Sequence, residues 1–137
     1  MKTSTSVRAF SNLTFTRAAI ALNGLVYLFS GAALLFAPSW FFNTIGNFPP
    51  FNRHYSGDLG AFLLPLGAGL LVAARQPSRH RGLIAVAAGA TLLHALNHGV
   101  DAVGEPLSHW LTDTLPLLVL ATVLILAYRR LASPDAS

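Results

Sequence analysis

Four long apolar runs constrain what this chain can fold into more than any other feature. Polar or proline-containing segments separate the runs, which cover residues 18–37, 58–74, 82–100 and 111–128. A helix needs about 20 apolar residues to cross the hydrocarbon core of a bilayer, with a range of about 17–25. The sequence therefore predicts an all-α integral membrane protein, an antiparallel four-helix bundle. The runs and their connections fill most of the chain, so we expect one domain over residues 1–137.

The composition excludes other classes of protein. Only 10% of the residues are charged, whereas soluble domains carry about 25%. Hydrophobic residues make up 53% of the chain, which excludes intrinsic disorder, because disordered segments are poor in hydrophobic residues. The chain has no cysteine, which excludes disulfides and thiolate metal sites.

The basic residues predict the orientation. Eight of the nine Lys and Arg residues flank the runs on one side, and Arg53 alone lies on the other. Because Lys and Arg are enriched in cytoplasmic loops, both termini are expected in the cytoplasm and the protein in the inner membrane. The same distribution accounts for the pI of about 10.4 without a nucleic-acid partner. The eight residues are Lys2, Arg8, Arg17, Arg75, Arg79, Arg81, Arg129 and Arg130.

Small residues recur at helical spacing within the runs. Gly24 and Gly31 lie seven residues apart in the first run, and Gly60 and Gly67 repeat that spacing in the second. Small residues on one face let membrane helices approach closely. Ala85 and Gly89 give a similar signal in the third run, and Pro65 is expected to kink or widen the second helix.

One stripe of the third run is polar. At about 100° per residue, His94, His98 and Asp101 share one side of the helix. His94 follows Gly82 by twelve residues, which places it about 18 Å into a core of about 30 Å. Ionisable residues at such depth are rare and mark functional sites.

Histidines four residues apart on a helix can hold one metal ion. We therefore predict that His94 and His98 bind a transition metal, with Asp101 orienting the His98 ring. His54 or Asp58, at the outer end of the second run, is predicted to complete the ligand set. His109 and Asp113 have the same spacing and are the alternative source of ligands. Such ligands suit zinc, iron, copper or manganese.

Other interpretations of the polar residues remain open. His94 and His98 could form a ligand-free network, or line a pocket for a quinone or another small molecule. Asp58 could cap the second helix, and Asp113 could lie favourably at the positive end of the fourth. Haem is not expected, because His94 has no histidine at its depth in the other runs.

The segment from Phe51 to Gly60, together with the glycine-rich second run and the later His94 and His98, resembles small bacterial four-span membrane proteins of the DoxX-like group. The resemblance implies membrane redox work with quinones, or the role of an accessory subunit. It implies no catalytic residue for this chain.

Three functions are therefore consistent with the sequence. One is a small membrane protein that uses its metal site in redox chemistry or metal handling. The second is an accessory subunit of a larger membrane complex, with a purely structural polar network. The third is a membrane protein that binds a quinone or another small molecule. The expected partners are the lipid bilayer and either a larger membrane complex or further copies of the chain in a homo-oligomer. The chain has no serine elbow, phosphate-binding loop or HExxH motif that would name a reaction.

Overall fold

A computed structural model describes residues 3–46 and 48–132, with side chains described from residue 12 to residue 131. Within these ranges the regular elements are helices and no strand occurs, which confirms the all-α prediction. The elements are α1 (Thr3–Phe36), α2 (Pro38–Thr44), α3 (Arg53–Arg75), a 3₁₀ turn (Pro77–His80), α4 (Arg81–Asp101), α5 (Leu107–His109), a π-turn (Trp110–Thr114) and α6 (Leu115–Ala132).

Four helical stretches are long and apolar enough to cross a membrane. Large apolar side chains such as Phe62, Val86 and Val119 are exposed in the middle of these stretches. Exposed apolar surfaces of this kind are suited to contact with lipid. The chain is therefore a multi-pass membrane protein. The stretches are Asn12–Phe36, Arg53–Arg75, Pro77–Asp101 and Leu107–Leu131, and apart from Ala37 each predicted run lies inside one of them.

The chain divides into two compact units. One is the continuous segment Ala21–Val72, here called the hairpin unit, and it contains the C-terminal part of α1 and most of α3. The other combines the described parts of Met1–Ile20 and Ala73–Ser137, and is here called the α4–α6 unit.

Glycines bring α1 and α3 into backbone contact inside the hairpin unit. A Cβ atom on Gly31 would collide with the backbone nitrogen of Leu64, and one on Gly67 would collide with that of Leu28. Only a residue without a side chain fits at such positions, so the predicted role of these glycines in close packing is confirmed.

The order of the close approaches gives the relative direction of this helix pair. As the contacts advance along α1 they move back along α3, so the two helices run in opposite directions. The successive approaches are Gly24 to Gly67, Gly31 to Leu64 and Leu35 to Gly60.

In the α4–α6 unit, small side chains line the buried face of α4. Thr91 is buried there and its hydroxyl donates to the carbonyl of Ala87, at 2.7 Å. Gly89 does not belong to this face, because a Cβ added there would meet nothing within 4 Å. The packing role predicted for Gly89 is therefore wrong. The buried residues of α4 are Ile84, Ala87, Ala88, Thr91 and Ala95, and those of α6 include Ala121, Leu124 and Ala127.

The widened helical turn occurs in a place the sequence analysis did not indicate. The α-helix α3 continues through Pro65 without a π-turn. The π-turn lies instead just before Pro116, where the N–H of Leu115 donates to the carbonyl of Trp110, five residues back. Pro116 has no N–H of its own, so it cannot supply the next bond of an ordinary α-turn.

Candidate functional site on α4

The candidate site is the pair His94 and His98, one turn apart on α4. Their Nε2 atoms lie 3.0 Å apart, and their ring centroids are 4.8 Å apart with an angle of 55° between the planes. The sequence predicted that the two rings would share one side of the helix, and the structure brings them into contact.

The distance between the two Nε2 atoms fits two chemical states. One ring can donate an N–H to the lone pair of the other, since neutral imidazole has one donor and one acceptor nitrogen. Two imidazoles bound to one tetrahedral ion at about 2.0–2.1 Å would have nitrogens about 3.3 Å apart. The observed 3.0 Å is close to that spacing, so little movement separates a hydrogen-bonded pair from a chelating one.

The pair lies at the edge of the buried face of α4. Thr91 and Ala95 are fully buried and mark the centre of that face. At 3.6 residues per turn, His98 is about 40° from this centre and His94 about 80°. Both rings are accordingly half-buried.

The neighbouring helix approaches α4 next to His98. A Cβ atom on Gly99 would lie 3.7 Å from the side chain of Thr114 and 3.8 Å from the ring of Trp110. Both residues belong to the π-turn. The widened turn therefore packs against α4 at Gly99, the residue that follows His98 in the sequence.

Asp101 lies on the exposed side of the stripe, at the end of α4. Its carboxylate accepts a hydrogen bond from the amide nitrogen of Asn97, at 3.3 Å. Orientation of the His98 ring by Asp101 stays a prediction.

His54 and Asp58 belong to the hairpin unit, in the first turns of α3. The Nε2 atom of His54 lies 3.4 Å from the carboxylate of Asp58, and their side chains are 82% and 58% exposed. The N-terminus of α3 is capped by Asn52, whose side-chain oxygen accepts from the N–H groups of His54 and Tyr55. The alternative prediction that Asp58 caps the second membrane helix is therefore wrong.

His109 and Asp113, the alternative pair, fall in a different helical geometry from the one assumed. Asp113 belongs to the π-turn, where residues four apart do not stack as they do in an α-helix. Its carboxylate accepts a hydrogen bond from the hydroxyl of Thr112, at 2.8 Å.

Across the residues that the structure describes, no group of three or more His, Asp or Glu side chains is arranged to hold a metal ion. His94 and His98 are thus the two predicted ligands on α4 whose side chains contact each other. The complete set of His94, His98, His54, Asp58 and Asp101 stays a prediction.

No protein-family model, curated protein or solved structure matches the chain.

One contact just beyond the end of α4 was not predicted from the sequence. The indole Nε1 of Trp110 donates to the carbonyl of Ala102, at 3.0 Å. The signal available was an indole ten residues beyond the end of the third apolar run, a position that is also typical of an interfacial anchor.

Proposed function

We propose that the protein binds one transition metal ion through His94 and His98, in the outer half of a four-span antiparallel bundle. The bundle lies in the inner membrane with both termini in the cytoplasm. The observation that carries the metal proposal is the approach of the two Nε2 atoms to 3.0 Å. Imidazole nitrogens are suitable ligands for zinc, iron and copper.

The position of His94 and His98 within an apolar helix supports the metal-binding proposal. Polar side chains inside a span are costly unless they have partners, and are retained where they act on ions or protons. When both rings are neutral, one Nε2 atom can donate an N–H to the other. A bound ion would instead engage the lone pairs of both Nε2 atoms.

Asp101 is proposed to orient the His98 ring, and the remaining coordination positions are left to water or to other exchangeable ligands. A site with two fixed imidazoles and exchangeable positions can receive an ion and release it. We therefore favour metal handling in the membrane, or redox chemistry at the ion, over a purely structural site. Kinship with DoxX-like proteins belongs to the same proposal.

Metal analysis of the purified protein tests this function directly. The full chain is purified in detergent with a histidine-free affinity tag and without chelators, and its metal content is measured by mass spectrometry. We expect about one ion per chain in the wild type, and loss of most of it in His98→Ala. His80→Ala is the matched control, because His80 lies in the 3₁₀ turn and not on the α4 stripe.

The contrary result is equally clear. Wild-type protein that contains no stoichiometric transition metal, and takes up none from zinc, iron or copper salts, would refute metal binding. His94 and His98 would then form a hydrogen-bonded network in an accessory subunit, or part of a small-molecule pocket.

A further inference from the structure

Six arginines gather at one end of the α4–α6 unit, here called the arginine end. Contacts between distant parts of the sequence bring them together. The guanidinium of Arg17 donates to the carbonyl of Arg75, at 3.4 Å. The six residues are Arg17, Arg75, Arg79, Arg81, Arg129 and Arg130.

Aromatic rings position two of these guanidinium groups. The guanidinium carbon of Arg130 lies 4.0 Å from the centre of the Phe15 ring, and that of Arg81 lies 5.8 Å from the centre of the Tyr128 ring. A cation–π contact attracts the guanidinium to the face of the ring without a conventional hydrogen bond. These contacts therefore leave N–H groups that can donate to a phosphate.

Carboxylates are separated from the arginine end in the described part of the chain. Asp101 lies at the far end of α4 from Arg81, and Glu105 and Asp113 follow it before α6 begins. Asp58 lies near the start of α3, whereas Arg75 is its last residue. Asp101, Glu105 and Asp113 thus lie at the opposite end of the unit from Arg81 and Arg130.

We propose that the arginine end binds the phosphodiester headgroup of an anionic phospholipid. The arginines lie where helices long enough to span a bilayer terminate, which is the level of the lipid headgroups. Basic clusters between membrane helices recognise anionic headgroups through charge and N–H donation. This inference is independent of the metal site, since it uses none of the same residues.

Lipid retention measured on the full chain tests the proposal. The protein in detergent is mixed with phosphatidylglycerol or phosphatidylcholine, and bound lipid is quantified by native mass spectrometry. We expect phosphatidylglycerol to bind preferentially. Arg81→Gln with Arg130→Gln should weaken its binding by about fivefold for each charge removed.

Matched variants separate a headgroup site from general charge or misfolding. Arg53→Gln removes an arginine from the start of α3 and should leave retention unchanged. Arg81→Lys with Arg130→Lys keeps the charge but loses the planar donors, and should retain part of the binding. A further arm adds inorganic phosphate at millimolar concentration, which should not displace the lipid.

Three results would overturn the proposal. These are equal binding of the two lipids, an equal loss in Arg53→Gln, or displacement of the lipid by inorganic phosphate. Melting temperatures of all variants in detergent without added lipid show which proteins are folded. If the glutamine variant is not folded, lipid retention by the lysine variant is compared with that of the wild type instead.

Discussion

The indole nitrogen of Trp110 and the carbonyl oxygen of Ala102 are joined by a 3.0 Å hydrogen bond. Ala102 follows the last residue of α4, and Trp110 begins the π-turn. One side chain thus fixes the loop between the two helices and positions the turn that packs against Gly99.

Removal of that hydrogen bond should destabilise the protein measurably. Trp110→Phe keeps an aromatic ring but lacks the N–H donor, so the free energy of unfolding should fall by about 0.5–1.5 kcal/mol. Denaturant unfolding in detergent, followed by circular dichroism, measures the change. Trp40→Phe is the control, because Trp40 contacts Phe29 edge to face and retains a ring in the variant. An equal effect of both variants would contradict the role of the indole donor.

The backbone contact between α1 and α3 should make Gly31 intolerant of any side chain. Gly31→Ala forces a methyl group against the backbone of Leu64, and overpacking of this kind costs about 1–3 kcal/mol. Gly89→Ala places the same methyl group in open space and should be neutral or stabilise the helix by up to about 1 kcal/mol. Melting temperatures of the two variants, measured side by side, should therefore shift in different directions or by clearly different amounts.

The proposed topology can be tested with single cysteines, since the native chain has none. Ser78 is exposed in the 3₁₀ turn, and Ser108 is exposed in α5. If both termini are cytoplasmic, an impermeant thiol reagent added to intact cells should label Ser108→Cys and not Ser78→Cys. The reverse labelling pattern would invert the orientation.

A carboxylate that orients a metal-bound histidine should influence affinity without being essential. If Asp101 has this role, Asp101→Asn should weaken metal binding by about 10–100-fold. Competition against a chromophoric zinc chelator measures the affinity. Glu105→Gln removes an equal charge in the following loop and should change the affinity little. Equal affinities of Asp101→Asn and the wild type would leave Asp101 as a partner of Asn97 alone.

The apolar runs were sufficient to predict the helices, because burial in lipid requires long apolar segments whatever their packing. Helix ends were harder to predict. α3 begins at Arg53 rather than Asp58, because the side chain of Asn52 satisfies its first N–H groups where hydropathy is still low. Likewise, α1 extends from residue 3, well before the first apolar run.

Local pattern also failed where neighbouring structure decides the outcome. Pro65 and Pro116 look alike in sequence, yet only Pro116 follows a π-turn. The spacing of Ala85 and Gly89 matched a packing motif, but Gly89 lies outside the buried face. For the site, the four-residue spacing was sufficient to predict the contact between His94 and His98, because both rings belong to one regular helix.

The continuity of the hairpin unit has a consequence for the order in which this protein acquires its structure. Residues 21–72 form one uninterrupted stretch, and their glycine contacts depend on van der Waals fit rather than on expulsion of water. This pair of helices can therefore associate while the ribosome is still translating the remainder of the chain. The contact between Phe15 and Arg130 and the contact between Arg17 and Arg75 belong to the α4–α6 unit. That unit can be completed only after the last helix has been synthesised.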